Sequence, residues 1–336
     1  MKLGFWNSWG KGQNGLGVVG KPKLPFFQDF SLLSDGALPV NWFGSTWTIV
    51  SGKAINIPTL GTELLINGNM ETGDPPSNWS AVTAVLSAAV DERTGGSGTK
   101  SINVANSGTN FGQARQAITL EAGAWYVLSG WMKNITASGR INVVDSTWLR
   151  TSVSTASWAL YATTGRSPDT SDTVRCSNQT NVDTQNCHYD DLSLKKLTQS
   201  TLWAIRNTGR RDVNIQGTYS TLVVGTQIGI LSNVKADLSA GLVAWIDGTN
   251  IKLEQWTSAG WLTLINTTQT PTGGLLPQIK TVISDSNLLV DLLYNGSAIG
   301  TQQMISNAEI VNNTYAGLLS TYDGNQIATF SAIANP

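Results

Sequence analysis

Short apolar runs that alternate with turn residues extend along most of this 336-residue chain. In one example, the apolar run 242–246 is followed by Asp247-Gly248 and then by a second run at 251–254. An Asp-Gly pair between two such runs is typical of a β-hairpin. The pattern recurs at Asn295-Gly296 and Asp323-Gly324, and helical periodicity is not sustained over any long segment. Closely spaced short strands predict an all-β protein built of jelly-roll β-sandwiches.

The length and composition limit the number of modules and the class of partner. A chain of 336 residues is too long for one ordinary sandwich and fits two with a short appendage. Only 13% of the residues are charged and the net charge is -1, which argues against a nucleic-acid partner. The chain has 13 Trp against 4 Met. Indole rings stack on sugars, although they also fill sandwich cores, and both interpretations stay open for any single Trp.

The chain shows no sign of membrane insertion or classical export. Apolar runs fall short of the roughly 20 residues of a membrane helix, and the start, Met1 to Trp6, lacks a hydrophobic signal core. We therefore expect synthesis in a host cytoplasm. The low charge and turn-rich surface nevertheless indicate an extracellular protein, and a phage virion component released by lysis satisfies both observations.

Residues 1–23 differ from the rest, because six glycines surround Phe5, Trp6 and Trp9. One interpretation is a disordered terminus. The other is an arm for virion assembly that buries its aromatic side chains against a neighbouring subunit, since exposed aromatics favour aggregation.

The segment from about Thr62 to Leu197 resembles carbohydrate-binding modules of families 4 and 9. The motif at 63–73 (ELLINGNMETG), followed by Trp79, is similar to their first strand, with Met70 where they usually carry Phe. The stretches 98–104 (GTKSINV), 120–131 (LEAGAWYVLSGW) and 189–194 (YDDLSL) follow in the order of the family, the last resembling its final strand. The resemblance implies a β-sandwich that binds carbohydrate.

The flanks resemble a laminin-G or concanavalin-like jelly roll, although neither flank is long enough to form one alone. The opening strands match around 29–54, and the closing strands around 295–300, 317–318 and 330–332. We expect one discontinuous domain, 24–61 plus 198–336, interrupted by the inserted module 62–197. A sandwich whose first and last strands are neighbours has close termini and is readily inserted into a loop of another domain.

The resemblance to families 4 and 9 also implies a structural calcium ion. Glu71 and Asp190 would lie on the first and last strands of the module, with Asn69 and the backbone carbonyl near Lys100 completing the shell. Oxygen ligands suit calcium. The alternative is that Asp190-Asp191 only ends an edge strand with charge.

The candidate sugar-binding residues lie in the second half of the module, where related proteins line their concave face. They are Trp148, Arg150, Trp158 and Tyr161. The aromatic rings would stack on a pyranose, and Arg150 would bind hydroxyls or a carboxylate. In the flanks, Trp245, Trp256 and Trp261 admit either a core or a binding role, and the apolar run around Trp245 favours the core.

The two cysteines, Cys176 and Cys187, flank a polar loop of a length that a disulfide across a hairpin would close. We expect a disulfide, with two free thiols as the alternative. A zinc site with His188 would need a further carboxylate ligand.

Catalysis is difficult to assemble from this sequence, and we expect no enzymatic activity. His188 is the only histidine, and it lies next to Cys187, whose side chain would point to the opposite face of a strand. The Glu-x-Asp-x-x-Glu pattern of concanavalin-like glycosidases does not occur. Two pairs of aspartates remain as cross-strand candidates, without a distinguishing spacing: Asp237 with Asp247, and Asp285 with Asp291.

The sequence as a whole indicates a structural protein of a phage tail or virion that attaches to host-surface glycans. Its expected partners are other virion subunits, and phage appendages are commonly symmetric, so we expect a homo-oligomer. Two alternatives are a polysaccharide depolymerase or glycosidase, and an architectural decoration without a ligand.

Overall fold

The computed structural model describes residues 24–90, 93, 96, 98–143, 149–153 and 155–335. The arm residues Phe5, Trp6 and Trp9 lie outside this part of the chain, as does Trp148. The described chain is nearly all β, which confirms the predicted fold class. None of its helices is long and apolar enough to cross a membrane.

The strands fall into a first flank, a middle segment and a second flank. The first flank holds β1 (Phe26–Asp29), β2 (Gly36–Ala37), β3 (Trp47–Val50) and β4 (Lys53–Asn56), with a 3-10 turn at Phe30–Leu32. The middle segment holds β5 (Leu60–Glu63), β6 (Ser80–Val82), β7 (Ala84–Val90), β8 (Lys100–Asn106), β9 (Gln113–Thr119), β10 (Trp125–Asn134), β11 (Gly139–Val143), β12 (Arg150–Val153), β13 (Ala159–Arg166), β14 (Ser171–Asn178) and β15 (Asn186–Leu197). The second flank holds a 3-10 turn at Gln199–Thr201, β16 (Trp203–Asn207), β17 (Val213–Thr221), β18 (Ile228–Val234), β19 (Gly241–Ile246), β20 (Asn250–Thr257), β21 (Gly260–Thr268), β22 (Gln278–Ser284), β23 (Asn287–Tyr294), β24 (Ser297–Ala298), β25 (Gln303–Ile305), the short helix α1 (Ala308–Val311), β26 (Tyr315–Ser320) and β27 (Gln326–Ala334).

These strands form four antiparallel sheets, which we name A to D. Sheet A runs β2-β3-β4-β27-β17-β22-β23-β24, with β1 beside β27 and β25 beside β23, and therefore joins both flanks. Sheet B runs β16-β26-β18-β19-β20-β21. Sheet C runs β13-β10-β15-β8-β7 with β5 beside β15, and sheet D runs β12-β11-β14-β9-β6. Sheets C and D contain only strands of the middle segment.

The chain enters and leaves the middle segment at one place. The backbone N–H of Thr198 donates to the carbonyl of Thr59 (2.9 Å), and Thr201 Oγ1 accepts from the N–H of Thr59 (3.1 Å). The two connections therefore lie side by side. The flanks can thus pair in sheet A although the middle segment separates them in sequence.

Three apolar cores hold the sheets together. The first lies between sheets A and B and includes Ile230, Leu292 and Phe330. The second lies between sheets C and D and includes Leu128 and Ile141. The third packs the outer face of sheet C against the outer face of sheet B, and its members include Trp125, Val127, Leu197, Trp203, Val243, Trp245 and Trp256.

The third core explains the continuous apolar run of β19. Every residue of this strand is buried. Leu242 and Ala244 face the first core, whereas Val243 and Trp245 face the third. Trp245, predicted to be a core residue, is thus buried between two sandwiches rather than inside one.

Candidate functional site

One end of the outer face of sheet C is buried against sheet B. A buried ion pair joins the two, because Arg166 Nη2 lies 2.5 Å from Glu254 Oε1. Glu254 Oε2 also accepts from the indole N–H of Trp245 (2.8 Å), and the Arg166 guanidinium lies 4.1 Å from the centroid of the Trp261 ring. Burial lowers the pKa of Arg166, although the neighbouring Glu254 opposes this effect. This end of sheet C therefore serves attachment to the flanks.

Hydrogen bonds extend the same contact. Thr164 Oγ1 lies 2.5 Å from Gln227 Oε1 and 2.6 Å from Thr321 Oγ1, and Gln227 Nε2 donates to the Thr164 carbonyl (2.8 Å). The backbone N–H of Thr164 donates to the Gly225 carbonyl (2.9 Å). Because these groups are buried and paired across the contact, they fix the orientation of the middle segment on sheet B.

Arg93 lies at the other end of the outer face of sheet C, and its side chain is only 4% exposed. Its guanidinium lies 5.0 Å from the Trp131 ring and 5.3 Å from the Trp158 ring. It forms ion pairs with Asp190 and, at 2.8 Å, with Asp191. Trp158, a predicted sugar-binding residue, therefore packs on an internal cation.

Two of the predicted sugar-binding residues, Trp158 and Tyr161, lie on opposite faces of sheet C. Tyr161 lies opposite Gly130 in the β10–β13 pair, and its ring packs against the second core. Burial raises its pKa. The backbone of Arg150 lies opposite Asn142 in the β11–β12 pair of sheet D. Trp158 is on the far side of the sandwich, beside Arg93.

The predicted calcium ligands are held by donors of the protein itself. Glu71 Oε1 accepts the backbone N–H groups of Thr99 (2.8 Å) and Lys100 (2.7 Å), so Lys100 meets this carboxylate with a donor rather than a carbonyl oxygen. A Cβ at Gly98 would lie 2.0 Å from Glu71 Oε1, which shows how closely the chain encloses this side chain.

Asp190 belongs to a separate arrangement. Its side chain is 1% exposed and pairs with Arg93, while its Oδ1 accepts the N–H of Asp191 (2.7 Å). Asn69 is exposed. Among the described residues, no group of three or more His, Cys, Asp or Glu side chains is placed to hold a metal ion. The described residues therefore do not fit a calcium ion shared by Glu71 and Asp190.

The predicted disulfide is not formed, because Cys176 and Cys187 are both free and buried. The expectation of a hairpin was wrong: Cys176 lies on β14 of sheet D and Cys187 on β15 of sheet C, so the loop between them crosses from one sheet to the other. Cys187 Sγ donates to the Ala137 carbonyl (2.8 Å). Burial raises the pKa of Cys187 to about 12 and that of Cys176 well above its usual value.

The outer face of sheet D carries a row of polar side chains across three strands. On β14, Val174 and Cys176 belong to the second core, so Arg175 between them points outward. Arg175 pairs in register with Asn142 of β11 on one side and with Arg115 of β9 on the other. The backbone of Arg150 on β12 lies opposite Asn142 and so extends this row to a fourth strand.

The arginines of this row are oriented by amide side chains. Arg175 Nε donates to Asn142 Oδ1 (3.0 Å), and Arg115 Nε donates to Gln113 Oε1 (2.7 Å). A third arginine, Arg140, lies in the next row, which also contains Gln113. Both Arg115 and Arg175 are partly exposed.

We did not predict this cluster from the sequence. A partial signal was present on β14, because Val174 and Cys176 flank Arg175 and favour an outward position for it. On β9 the alternation is broken, since Gln116 is buried and Ala117 is exposed. The juxtaposition of the two arginines depends on the cross-strand register, which alternation within one strand does not determine.

The aspartates considered for catalysis serve local turns. Asp247 Oδ1 accepts the backbone N–H groups of Thr249 (2.9 Å) and Asn250 (2.7 Å). Hydrogen bonds from Ser239 are the main cause that lowers the pKa of Asp237 to about 2. Asp285 is a turn residue with φ of 54°, and Asp291 lies opposite Lys280.

Comparisons with known proteins give partial structural likeness. No family model matches the chain, and no curated protein matches it. The enzymatically active domain of bacteriophage CBA120 tailspike protein 4 shares 14% identity at a TM-score of 0.34, over 40% of this chain and 21% of that one. A CBM4 structure shares 18% identity at a TM-score of 0.30, over 39% of this chain and 98% of that one. The CBM22-1-CBM22-2 tandem domain of Paenibacillus barcinonensis Xyn10C shares 7% identity at a TM-score of 0.35, over 83% of this chain and 98% of that one.

Proposed function

We propose that this protein is a non-enzymatic component of a phage virion that binds host-surface glycans through the outer face of sheet D. The observation that carries the proposal is the difference between the two outer faces of the middle segment. The outer face of sheet C is buried by sheet B at one end, and at the other end Trp131 and Trp158 pack on Arg93. Sheet D presents Gln113, Arg115 and Arg175, which are partly exposed.

The chemistry of these side chains suits a sugar. A hydroxyl both donates and accepts hydrogen bonds, and the partly exposed amide of Gln113 lies beside the guanidinium group of Arg115. The sequence resemblance to carbohydrate-binding modules of families 4 and 9 supports glycans as the class of ligand, and the geometry supports this face as the place where they bind.

Glycan binding is tested with the full-length protein on an array of bacterial polysaccharides and on intact host cells. Replacing Gln113 and Arg115 together with Ala should weaken binding to the recognised glycan, while Gln302→Ala on the flank, which removes an exposed amide, should not. Thermal melting of each variant separates loss of binding from loss of fold. Absence of binding to every polysaccharide, with normal incorporation into virions, would favour the architectural alternative.

The virion role is tested through the arm. Deleting residues 1–23 should abolish incorporation into particles and leave the melting of sheets A to D unchanged, because the described strands begin only at Phe26. Mass photometry of the full chain and of the truncated chain tests the expected homo-oligomer. Incorporation of the truncated protein at the level of the full chain would overturn the assembly role of Phe5, Trp6 and Trp9.

The non-enzymatic character is tested by reducing-sugar release. Three of the described aspartates considered for catalysis lie in turns, and Asp291 accepts a hydrogen bond from Gln302, so we expect no release from host capsule or cell-wall polysaccharide. Release that disappears in an Asp237→Asn or Asp291→Asn variant would establish the depolymerase alternative instead.

A further inference from the structure

We propose that the outer face of sheet A holds a second binding site, whose ligand is a neutral polysaccharide, one without ionised groups. This face belongs to the flanks, and therefore to a different sandwich from the one that carries the proposed site on sheet D. A groove of about 960 Å³ crosses it. Ligand sites usually have volumes of about 300–1,000 Å³, so the groove is large enough to hold several sugar rings.

A row of outward side chains crosses the groove from strand to strand. Phe27 of β1 lies opposite Ser331 of β27, and Ser331 lies opposite Gln216 of β17. The residues on either side of Ser331 belong to the first core, as does Ile215 beside Gln216, so the row points away from that core. Neighbouring strands lie about 4.8 Å apart, so a ring, a hydroxyl and an amide follow one another over about 10 Å.

Phe27 supplies a flat apolar surface at one end of this row. The residue is 65% exposed, and two more exposed apolar residues, Leu32 and Ile333, line the same groove. Covering such side chains removes apolar surface from water, which favours binding. An aromatic face is suited to stacking on the C–H face of a pyranose ring.

The floor of the groove forms hydrogen bonds. Gln216 is exposed, and its amide can offer two N–H donors and an acceptor oxygen. Thr218 and Thr329, both partly exposed, share a hydrogen bond between their hydroxyls (2.7 Å). Gln278 Nε2 donates to Asn214 Oδ1 (2.6 Å), which fixes the direction of the Gln278 amide. The floor therefore presents polar groups in defined positions beside the apolar surface of Phe27.

This combination favours a sugar over a wholly apolar ligand. A lipid chain or an apolar peptide would cover the amide of Gln216 and the threonine hydroxyls without forming hydrogen bonds to them, and polar groups buried in that way cost free energy. A pyranose has an apolar C–H face for Phe27 and hydroxyls that both donate and accept for the floor. It therefore matches both parts of the groove at once.

The charge of the lining favours a neutral sugar. The described residues that line the groove have no ionisable side chain among them. A carboxylate or sulfate group in the groove would lose hydration without gaining an ionic partner from this lining. Elsewhere on sheet A, Lys280 and Asp291 lie opposite each other in the β22–β23 pair, so their charges oppose one another.

The test uses the full-length protein and polysaccharides in matched pairs. Dextran, mannan, galactan and laminarin are each compared with their carboxymethylated forms, which keep the backbone and add negative charge. Every polymer is measured with the unmodified chain and with the Gln113→Ala, Arg115→Ala double variant, in which the proposed site on sheet D is impaired. We expect at least one neutral polymer to bind the double variant about tenfold or more tightly than its charged form, a difference of about 1.4 kcal/mol. This binding should not change with ionic strength, because ion pairs do not contribute to it.

Variants of the row locate the effect. Phe27→Ala should weaken binding of the neutral polymer by about tenfold, because the apolar surface is lost. Phe27→Tyr keeps a flat ring and should restore binding, whereas Phe27→Leu is apolar but not flat and should bind as weakly as Phe27→Ala. Gln216→Ala should also weaken binding. The matched control is Phe43→Ala, which removes an exposed ring outside the groove. Because Phe27 and Gln216 are exposed, we expect these variants to keep the melting temperature of the unmodified chain.

The outcomes separate this proposal from the one for sheet D. Loss of binding in the sheet D double variant, with no loss in Phe27→Ala or Gln216→Ala, would overturn the site on sheet A and leave the site on sheet D. The reverse result would support the site on sheet A and overturn the other. Equal losses in Phe27→Ala and Phe43→Ala would show non-specific attraction to exposed rings and would overturn the site on sheet A.

Two further outcomes concern the occupant of the groove. Equally tight binding of neutral and carboxymethylated polymers by the double variant would overturn the preference for a neutral ligand. Binding that appears only when residues 1–23 are deleted would show that the arm, which joins the described chain beside Pro25 of the groove, is the occupant instead of a glycan. That result would also overturn the proposal.

Discussion

Sheets C and D belong to one β-sandwich, yet their outer faces have opposite characters. The outer face of sheet C presents Trp125 and Val127 to sheet B, and the resulting core excludes water. The outer face of sheet D presents Arg115 and Arg175. The sandwich thus uses one face for attachment to the rest of the chain, and we propose that the other binds a ligand. A buried apolar contact supplies rigidity, whereas an exposed charged face supplies specificity.

This comparison also explains why so many tryptophans occur in the chain. Trp125, Trp203, Trp245 and Trp256 all belong to the third core. Their rings lie close together, with Trp203 and Trp256 centroids 4.5 Å apart. These four tryptophans therefore pack one sandwich on another, so they do not support sugar binding, for which the tryptophan excess was one possible sign.

The largest expected effect comes from removing a ring of the third core. Trp203 is 1% exposed, and truncating a buried Trp to Ala typically costs about 3–5 kcal/mol because a cavity remains. Trp203→Ala should lower the free energy of unfolding by about this amount in denaturant titration. The control is Leu262→Ala on the same sheet, where the side chain is 54% exposed. Equal effects of both variants would contradict a specific packing role for the third core.

A smaller loss should follow when the ion pair of this contact is broken. Glu254→Gln leaves Arg166 partly buried without its carboxylate, and hydrogen bonds to charged groups contribute about 1.5–3 kcal/mol. We expect a decrease of this size in the free energy of unfolding. The matched control is Asp212→Asn, whose partner Arg210 is 48% exposed, and exposed pairs contribute about 0–1 kcal/mol. If the control equals the buried variant, Glu254 does not stabilise the attachment.

The sequence predicted the fold class, because turn pairs such as Asp247-Gly248 and the alternation within strands are local signals. It did not predict the candidate site on sheet D, because a cluster on a sheet depends on the register between strands far apart in the chain. Arg115 and Arg175 are separated by 60 positions and meet only through the β9–β14 pairing. Trp158 and Tyr161 are three positions apart and yet lie on different faces, since Trp158 packs on Arg93 and Tyr161 on the second core.

For the two cysteines we predict a change in thiol reactivity rather than in stability. Both are free, and burial raises the pKa of Cys187 to about 12. The thiolate is the reactive form, so at pH 8 the thiolate fraction of Cys187 should be about two thousandfold lower than in an unfolded chain, where the pKa is about 8.5. The raised pKa also means that the stability from the protonated thiols is fully present at pH 8 and is lost only at more alkaline pH.

A thiol reagent checks this directly. We expect negligible labelling of the native protein at pH 8 and two labelled thiols per chain in denaturant without reductant. No labelled thiol in denaturant would show that the disulfide between Cys176 and Cys187 forms after all. Rapid labelling of the native chain would contradict their burial.

The smallest effect is expected from metal removal, and it concerns the face of sheet C that Arg93 covers. A bound ion stabilises a fold by mass action when it binds only the native state, so a calcium ion between Glu71 and Asp190 would make the melting temperature sensitive to a chelator. In the structure, however, a guanidinium already compensates Asp190, and two backbone N–H groups compensate Glu71. We therefore expect EDTA to shift the melting temperature of the full chain by less than about 2 °C, which corresponds to a fraction of a kcal/mol. The matched control is Glu71→Gln, which should respond to EDTA as the unmodified chain does. A larger fall that calcium reverses and magnesium does not, and that is absent in Glu71→Gln, would establish the calcium site and show that Arg93 and an ion share this face.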